Sequence, residues 1–236
     1  MRRIKTSVIS GMIILDKPAG MTSARAVEVV KRVLPRGTRI GHAGTLDPFA
    51  TGVLVLLIGK ATKLCEHVMS LPKTYEATIK LGATTATDDP EAPEQIWQGK
   101  TPQPPTHAAI NENLMRMIGP IQQRPPLYSA IKIAGRRASD RAREGSTHLD
   151  LKPRTVNVYR IDVLSYEWPT LQLRIECGRG TYIRSIARDL GEALNVGGYV
   201  RSLRRTRIGS YTIEQAAPLD RLTPQTHPQY LQEVAL

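Results

Sequence analysis

At 236 residues the chain has room for one large domain or two small ones, and for a sizeable hydrophobic core. Its 33 lysines and arginines against 21 acids leave a formal charge of +12, which favours a polyanionic partner, nucleic acid before membrane. There is no apolar run near the ~20 residues of a membrane span, no secretory signal in the opening Met1–Thr6, and no metal-ligand spacing between Cys65 and Cys177, so a cytoplasmic protein with reduced thiols is expected.

In chain order, Gly11–Leu15 reads as a short strand and Asp16–Gly20 as a turn. Thr22 or Ser23 caps a helix whose Ala26, Val29, Val30, Val33 and Leu34 share one face, and Pro35 stops it. Val53–Ile58 is a fully apolar strand, Lys60–Met69 a short helix and Thr74–Leu81 a strand. Residues 84–104 form a polar, proline-rich connection, with the acidic stretch Asp88–Glu94 expected in solvent. Thr106 caps a helix with Ile110, Leu114 and Met117 inward, closed by Gly119-Pro120.

Tyr128–Ile133 and Thr155–Trp168 are strand candidates around a basic segment. Leu171, Leu173, Ile175 and Cys177 alternate with Gln172, Arg174 and Glu176, the pattern of a half-buried strand. After a turn at Gly178–Gly180, Thr181 caps a helix carrying Ile183, Ile186, Ala187, Leu190 and Leu194 on one face. A strand pair lies between Tyr199 and Ile213, broken at Gly209-Ser210. Strands arrive in pairs separated by single helices, without regular alternation, which predicts an α+β fold with a largely antiparallel sheet.

Several chemistries are excluded. Gly59-Lys60-Ala61-Thr62 lacks the glycine spacing and the hydroxyl of a phosphate-binding loop. HExxH, GxSxG and a dinucleotide fingerprint are absent, and the five histidines are scattered. Any chemistry is therefore expected to run on side chains, with no metal and no cofactor.

One carboxylate stands out. Gly41–Pro48 places Asp47 in a glycine-bracketed loop ahead of the apolar run Val53–Ile58, with Pro48 biasing it towards an extended backbone. An acid fixed at the entrance to a buried strand is a candidate catalyst; the alternative is an Asx turn before a strand. Basic residues gather in two stretches, nine against three acids over Arg124–Arg160 and seven against two over Arg179–Arg207, as a phosphate-tracking surface requires.

Six motifs, in order, carry a resemblance. Lys17–Ser23 reads KPAGMTS, Gly41–Leu54 reads GHAGTLDPFATGVL, and Lys73–Ala77 reads KTYEA. Arg124–Lys132 reads RPPLYSAIK, Cys177–Ser185 reads CGRGTYIRS, and Leu203–Thr206 reads LRRT. Together they resemble the TruB-type tRNA pseudouridine synthases over roughly residues 11–210.

The resemblance implies a pseudouridine synthase fold and isomerisation of a uridine in the T-loop of tRNA, position 55. Asp47 matches the nucleophile that detaches uracil from its ribose, and His42 the histidine that holds the nucleotide out of its stack. Tyr75 matches the tyrosine that stacks on the base. Tyr182 and Arg184 match pocket residues, the arginine pairing with the catalytic carboxylate, and Leu203 matches a leucine packed against the base. The partner implied is the T-arm stem-loop, with no DNA and no membrane involved, bound by a monomer. Residues 1–214 form the catalytic domain, with an RNA-gripping insert at about 122–154. Residues 215–236 are a short tail with no PUA domain.

The physics agrees with this reading. Extruding a nucleotide from a folded loop costs a few kcal/mol, and a stacking aromatic such as Tyr75 returns ~1–3 kcal/mol. Closure would raise the pKa of Asp47, and Arg184 would oppose that by favouring the ionised form. Three departures from the family are expected to matter: Ala138–Arg143 lacks a tyrosine that many members carry, Arg179 replaces a lysine, and the residues after Ser210 are read as too few for the PUA domain that many members append. The sequence leaves open whether Asp47 attacks the base, the sugar carbon or a ribose proton. Two other functions remain open as well: a non-enzymatic RNA-binding module, and isomerisation of a different RNA under guidance by partner proteins.

Overall fold

A computed structural model describes residues 9–97, 103–129, 131–133, 136–144 and 151–234. The opening residues 1–8, and residues 145–150 of the predicted insert, lie outside that set. The chain divides into two compact units, Met1–Thr74 with Arg204–Leu236, and Tyr75–Leu203.

In the first unit, β1 (Gly11–Lys17) pairs antiparallel with β3 (Thr51–Ile58), and β2 (Ile40–His42) pairs antiparallel with β3. The C-terminal end of β12 (Gly198–Ile208) runs parallel to β3, with Arg204 opposite Thr51 and Arg205 opposite Gly52. This sheet is buried on both faces, which is why β3 has no polar alternation. On one face Ile13, Leu15, Leu54, Leu56 and Ile58 meet Ala26 and Val30 of α1 (Ser23–Val33) and Leu34 just beyond it. On the other, Met12, Ile14, Val53, Val55 and Leu57 meet Ala61 and Val68, the latter on α2 (Cys65–Ser70), which follows a 3₁₀ turn at Gly59–Leu64. Thr22 caps α1, its hydroxyl accepting from the Arg25 N–H at 3.1 Å.

The segment read as a tail joins this core. After β13 (Tyr211–Thr212), β14 (Ala217–Pro218) pairs parallel with β1, and Ala217 and Leu222 are buried. Gln232, just past α6 (His227–Tyr230), bridges to Met12.

The second unit orders its strands β12, β4 (Lys73–Leu81), β11 (Thr170–Cys177), β10 (Arg154–Glu167) and β7 (Gly119–Gln123). Tyr75, Ala77, Ile79 and Leu81 are buried in alternation, as are Leu171, Leu173, Ile175 and Cys177. α3 (His107–Met115) contacts β10 and α5 (Ile183–Ala193). The predicted α+β architecture, a mostly antiparallel sheet flanked by helices, is observed.

Four local expectations are corrected. Gly119-Pro120 does not merely stop α3: it opens β7, because an edge strand accepts proline and pairs through residues 119–123 with β10. The proline-rich connection contains a small hairpin, β5 (Ala83–Thr85) with β6 (Glu94–Ile96). Among the described residues of the strand candidate Tyr128–Ile133, only Lys132–Ile133 is extended, as β8, pairing with β9 (Arg136–Arg137) ahead of α4 (Ala138–Arg143). The residue preceding α5 is Tyr182 rather than Thr181, whose hydroxyl instead donates to the Gly178 carbonyl.

Candidate active site

Asp47 lies in the first unit, on the connection between β2 and β3, and His42 stands where that connection leaves β2. His42 is the last residue of β2, and the Ala43 N–H extends the ladder to the Val55 carbonyl at 2.9 Å. The chain turns away at Gly44, whose φ of 101° lies in the region glycine favours. The following residues are fixed through their backbone. The Ser23 hydroxyl accepts from the Leu46 N–H at 2.8 Å and donates to the Leu46 carbonyl at 3.0 Å. The Lys17 ammonium, fully buried, donates to the carbonyls of Met21, Pro18 and Pro48 at 2.7, 2.8 and 3.2 Å.

Arg205 completes this frame. Its guanidinium, 1% exposed, donates to the carbonyls of Val53, Gly44 and Thr45 at 2.8, 2.9 and 3.4 Å. Gly52 permits the strand approach that brings it there: a Cβ at that position would fall 2.2 Å from the Arg205 carbonyl oxygen. Half-buried Asp47 thus sits between backbone anchors at Leu46 and Pro48. The His42 Nδ1 is buried without a hydrogen-bond partner among the described residues. Burial first, and the Arg205 cation second, push the imidazole pKa below its usual value, so His42 is neutral at neutral pH.

Tyr75, Tyr182, Arg184 and Leu203 belong to the second unit. Tyr75 and Leu203 are buried on the neighbouring strands β4 and β12. Tyr182 enters α5 under a two-way clamp from Gln123, itself 1% exposed: the Tyr182 N–H donates to Gln123 Oε1 at 2.8 Å, and Gln123 Nε2 donates to the Tyr182 carbonyl at 3.1 Å.

Arg184 is buried and donates to Asp89 at 3.0 Å, to the Thr87 carbonyl at 2.9 Å and to the Tyr128 carbonyl at 2.9 Å. Asp89 is also buried, accepting from the Glu91 N–H at 3.0 Å and from the Thr87 hydroxyl. The expectation of a solvated Asp88–Glu94 is therefore overturned at its first two residues, because a guanidinium in the interior requires a carboxylate there. Half-buried Asp88 meets Arg188 at 3.0 Å, and burial raises its pKa to about 6.

Five residues beyond the sequence-derived candidates thus shape these two sets. Lys17, Ser23 and Arg205 lay inside recognised motifs, which were the available signal. Asp89 was hidden in an acidic stretch, and Gln123 carried no signal of its own.

Comparison with known proteins gives the class and then the family. The fold is similar to that of a chain in a crystal structure of a Cbf5–Nop10–Gar1 complex, with a TM-score of 0.69 and 31% identity over 94% of this chain. The chain spans 56% of that protein's length. Residues 31–183 match the model of the TruB family pseudouridylate synthase N-terminal domain, and residues 184–236 that of the tRNA pseudouridylate synthase B C-terminal domain. Proteins called tRNA pseudouridine synthase B are similar throughout. That of Thermobifida fusca is 46% identical, over 91% of this chain and 75% of its own length. The Mycobacterium bovis protein is 45% identical, over 90% of this chain and 71% of its own. The class is pseudouridylate synthase. Within it, the chain belongs to the TruB family.

Proposed function

We propose that the chain converts uridine to pseudouridine in the T-loop of tRNA, at position 55, with Asp47 as nucleophile. The observation that carries the assignment is the frame around Asp47, in which a buried ammonium, a buried guanidinium and a hydroxyl fix the backbone from Gly44 to Pro48. Such fixation preorganises a reacting group, and an error of ~1 Å in its placement can cost about 100-fold in rate. His42, neutral, is assigned to holding the extruded nucleotide, Tyr75 to stacking on its base, and Tyr182, Arg184 and Leu203 to the surrounding contacts. Arg184 is assigned to keeping Asp47 ionised. The nucleotide must leave its stack at a cost of a few kcal/mol, which stacking on Tyr75 offsets. Attack at the base, at the sugar carbon or on a ribose proton all fit one carboxylate, and none of them calls on a cofactor.

Residues 1–214 are taken as the catalytic core, with about 122–154 gripping the T-arm stem-loop, in a monomer acting in the cytoplasm. Among the described residues no helix is long and apolar enough to cross a membrane. Asp47→Asn is expected to abolish pseudouridine formation on unmodified tRNA while leaving tRNA affinity within a few-fold. Substantial turnover by that variant would remove Asp47 from the nucleophile role.

A further inference from the structure

Some cations of this protein are held in ion pairs among the described residues, Arg25 with Glu28 and Arg188 with Asp88 among them. Lys31, Arg32, Arg36, Arg39, Lys60 and Lys63 differ: all six are exposed, and none has an ion-pair partner among the described residues. They also converge. Lys31 and Arg32 end α1, and Arg36 sits in the turn closed by the Thr38 N–H on the Pro35 carbonyl at 3.1 Å. The Arg39 carbonyl accepts from the Gly59 N–H at 2.8 Å, which brings Lys60 beside it. Lys60 and Lys63 are three apart in a 3₁₀ turn, so their side chains eclipse. Glu66, three residues further on, offsets part of this charge and leaves a marked surplus.

This surface lies at the Ile58 end of β3, whereas the Asp47 loop precedes Thr51 at the other end. Eight strand residues separate the two ends, roughly 25 Å. It is also distinct from the two basic stretches that sequence composition picks out.

We infer that this cluster is a second phosphate-binding surface, engaging the backbone of the RNA substrate outside the stem-loop that carries the target uridine. The inference rests on the tRNA reading above. RNA fits better than an anionic membrane because α1 has no apolar face to insert: Ala26, Val30 and Leu34 are already buried against the sheet. Exposed like charges repel one another, and a polyanion relieves that repulsion while releasing its own counterions.

The test is the fourfold variant Lys31→Gln, Arg36→Gln, Lys60→Gln, Lys63→Gln, with affinities for full-length unmodified tRNA and for an isolated T-arm stem-loop measured from roughly 50 to 200 mM salt. Affinity for tRNA is expected to fall about tenfold or more and the log–log salt slope to flatten by about 3, while stem-loop affinity and turnover stay within twofold. Unchanged tRNA affinity and slope would overturn the inference, as would an equal loss on both RNAs. Wild-type binding to phosphatidylserine vesicles that the variant loses, with tRNA binding intact, would reassign the surface to membranes. Failure of the isomerase reading is separate: wild-type protein would then form no pseudouridine in either RNA, whatever the variant's affinity.

Discussion

Arg205→Met tests the frame that holds Asp47. Methionine keeps most of the side chain's packing and removes the donors to Val53, Gly44 and Thr45. At ~1 kcal/mol or more for each acceptor left without its charged donor, the loss is about 3 kcal/mol. For a chain of this size that corresponds to a Tm lower by roughly 6–12 °C. Relaxation of Gly44–Thr45 would displace Asp47, and turnover on tRNA is expected to fall on the order of 100-fold with little change in Kd. The same substitution removes one of the two causes of the low His42 pKa, so an NMR titration should move upward, short of the full return that burial prevents. Arg205→Lys keeps the charge but not the planar fork, and should show the turnover defect with His42 unmoved. The pH dependence follows from the sign. The unfolded imidazole takes its proton near ~6.5 and the folded one only at lower pH, so stability falls as pH drops through that range, less steeply in Arg205→Met. Wild-type turnover in Arg205→Met, or an unaltered His42 titration, would refute this account of the site.

Two further outcomes are expected. Gln123→Leu leaves the N–H and carbonyl of Tyr182 without their clamp, and single-turnover rates should fall about tenfold with tRNA Kd nearly unchanged; equal loss in both would make Gln123 a general folding residue. For Asp88, a folded pKa of about 6 against the ordinary 3.8 means that the folded chain binds more protons in that window, so this group costs stability as pH rises through it. Asp88→Asn keeps a residue suited to the positive φ of 59° and should raise Tm at pH 8 while flattening the profile between about pH 4 and 6. A lower Tm at pH 8 would mean that the contact with Arg188 outweighs burial.

What could be read without coordinates was whatever leaves a local trace. β3 and β11 announced themselves by uninterrupted and alternating apolar residues, and α1 and α3 by their threonine caps and apolar faces. Asp47 was marked by its glycine- and proline-bounded loop and by the motifs around it. The tertiary structure decided what holds that loop and the start of α5. Arg205 reaches Gly44 across 161 residues, Gln123 reaches Tyr182 across 59, and Arg184 reaches Asp89 across 95. Most of those bonds end on backbone atoms, which every residue type carries alike, so the sequence bears no imprint of them at the accepting position. Asp89 is the reverse case: its side chain is visible in the sequence, but only folding shows whether an acid meets water or a buried cation. Periodicity and capping arise between neighbours in the chain, and the sequence records them; the fastenings of a site arise between distant segments, and only their meeting in space reveals them.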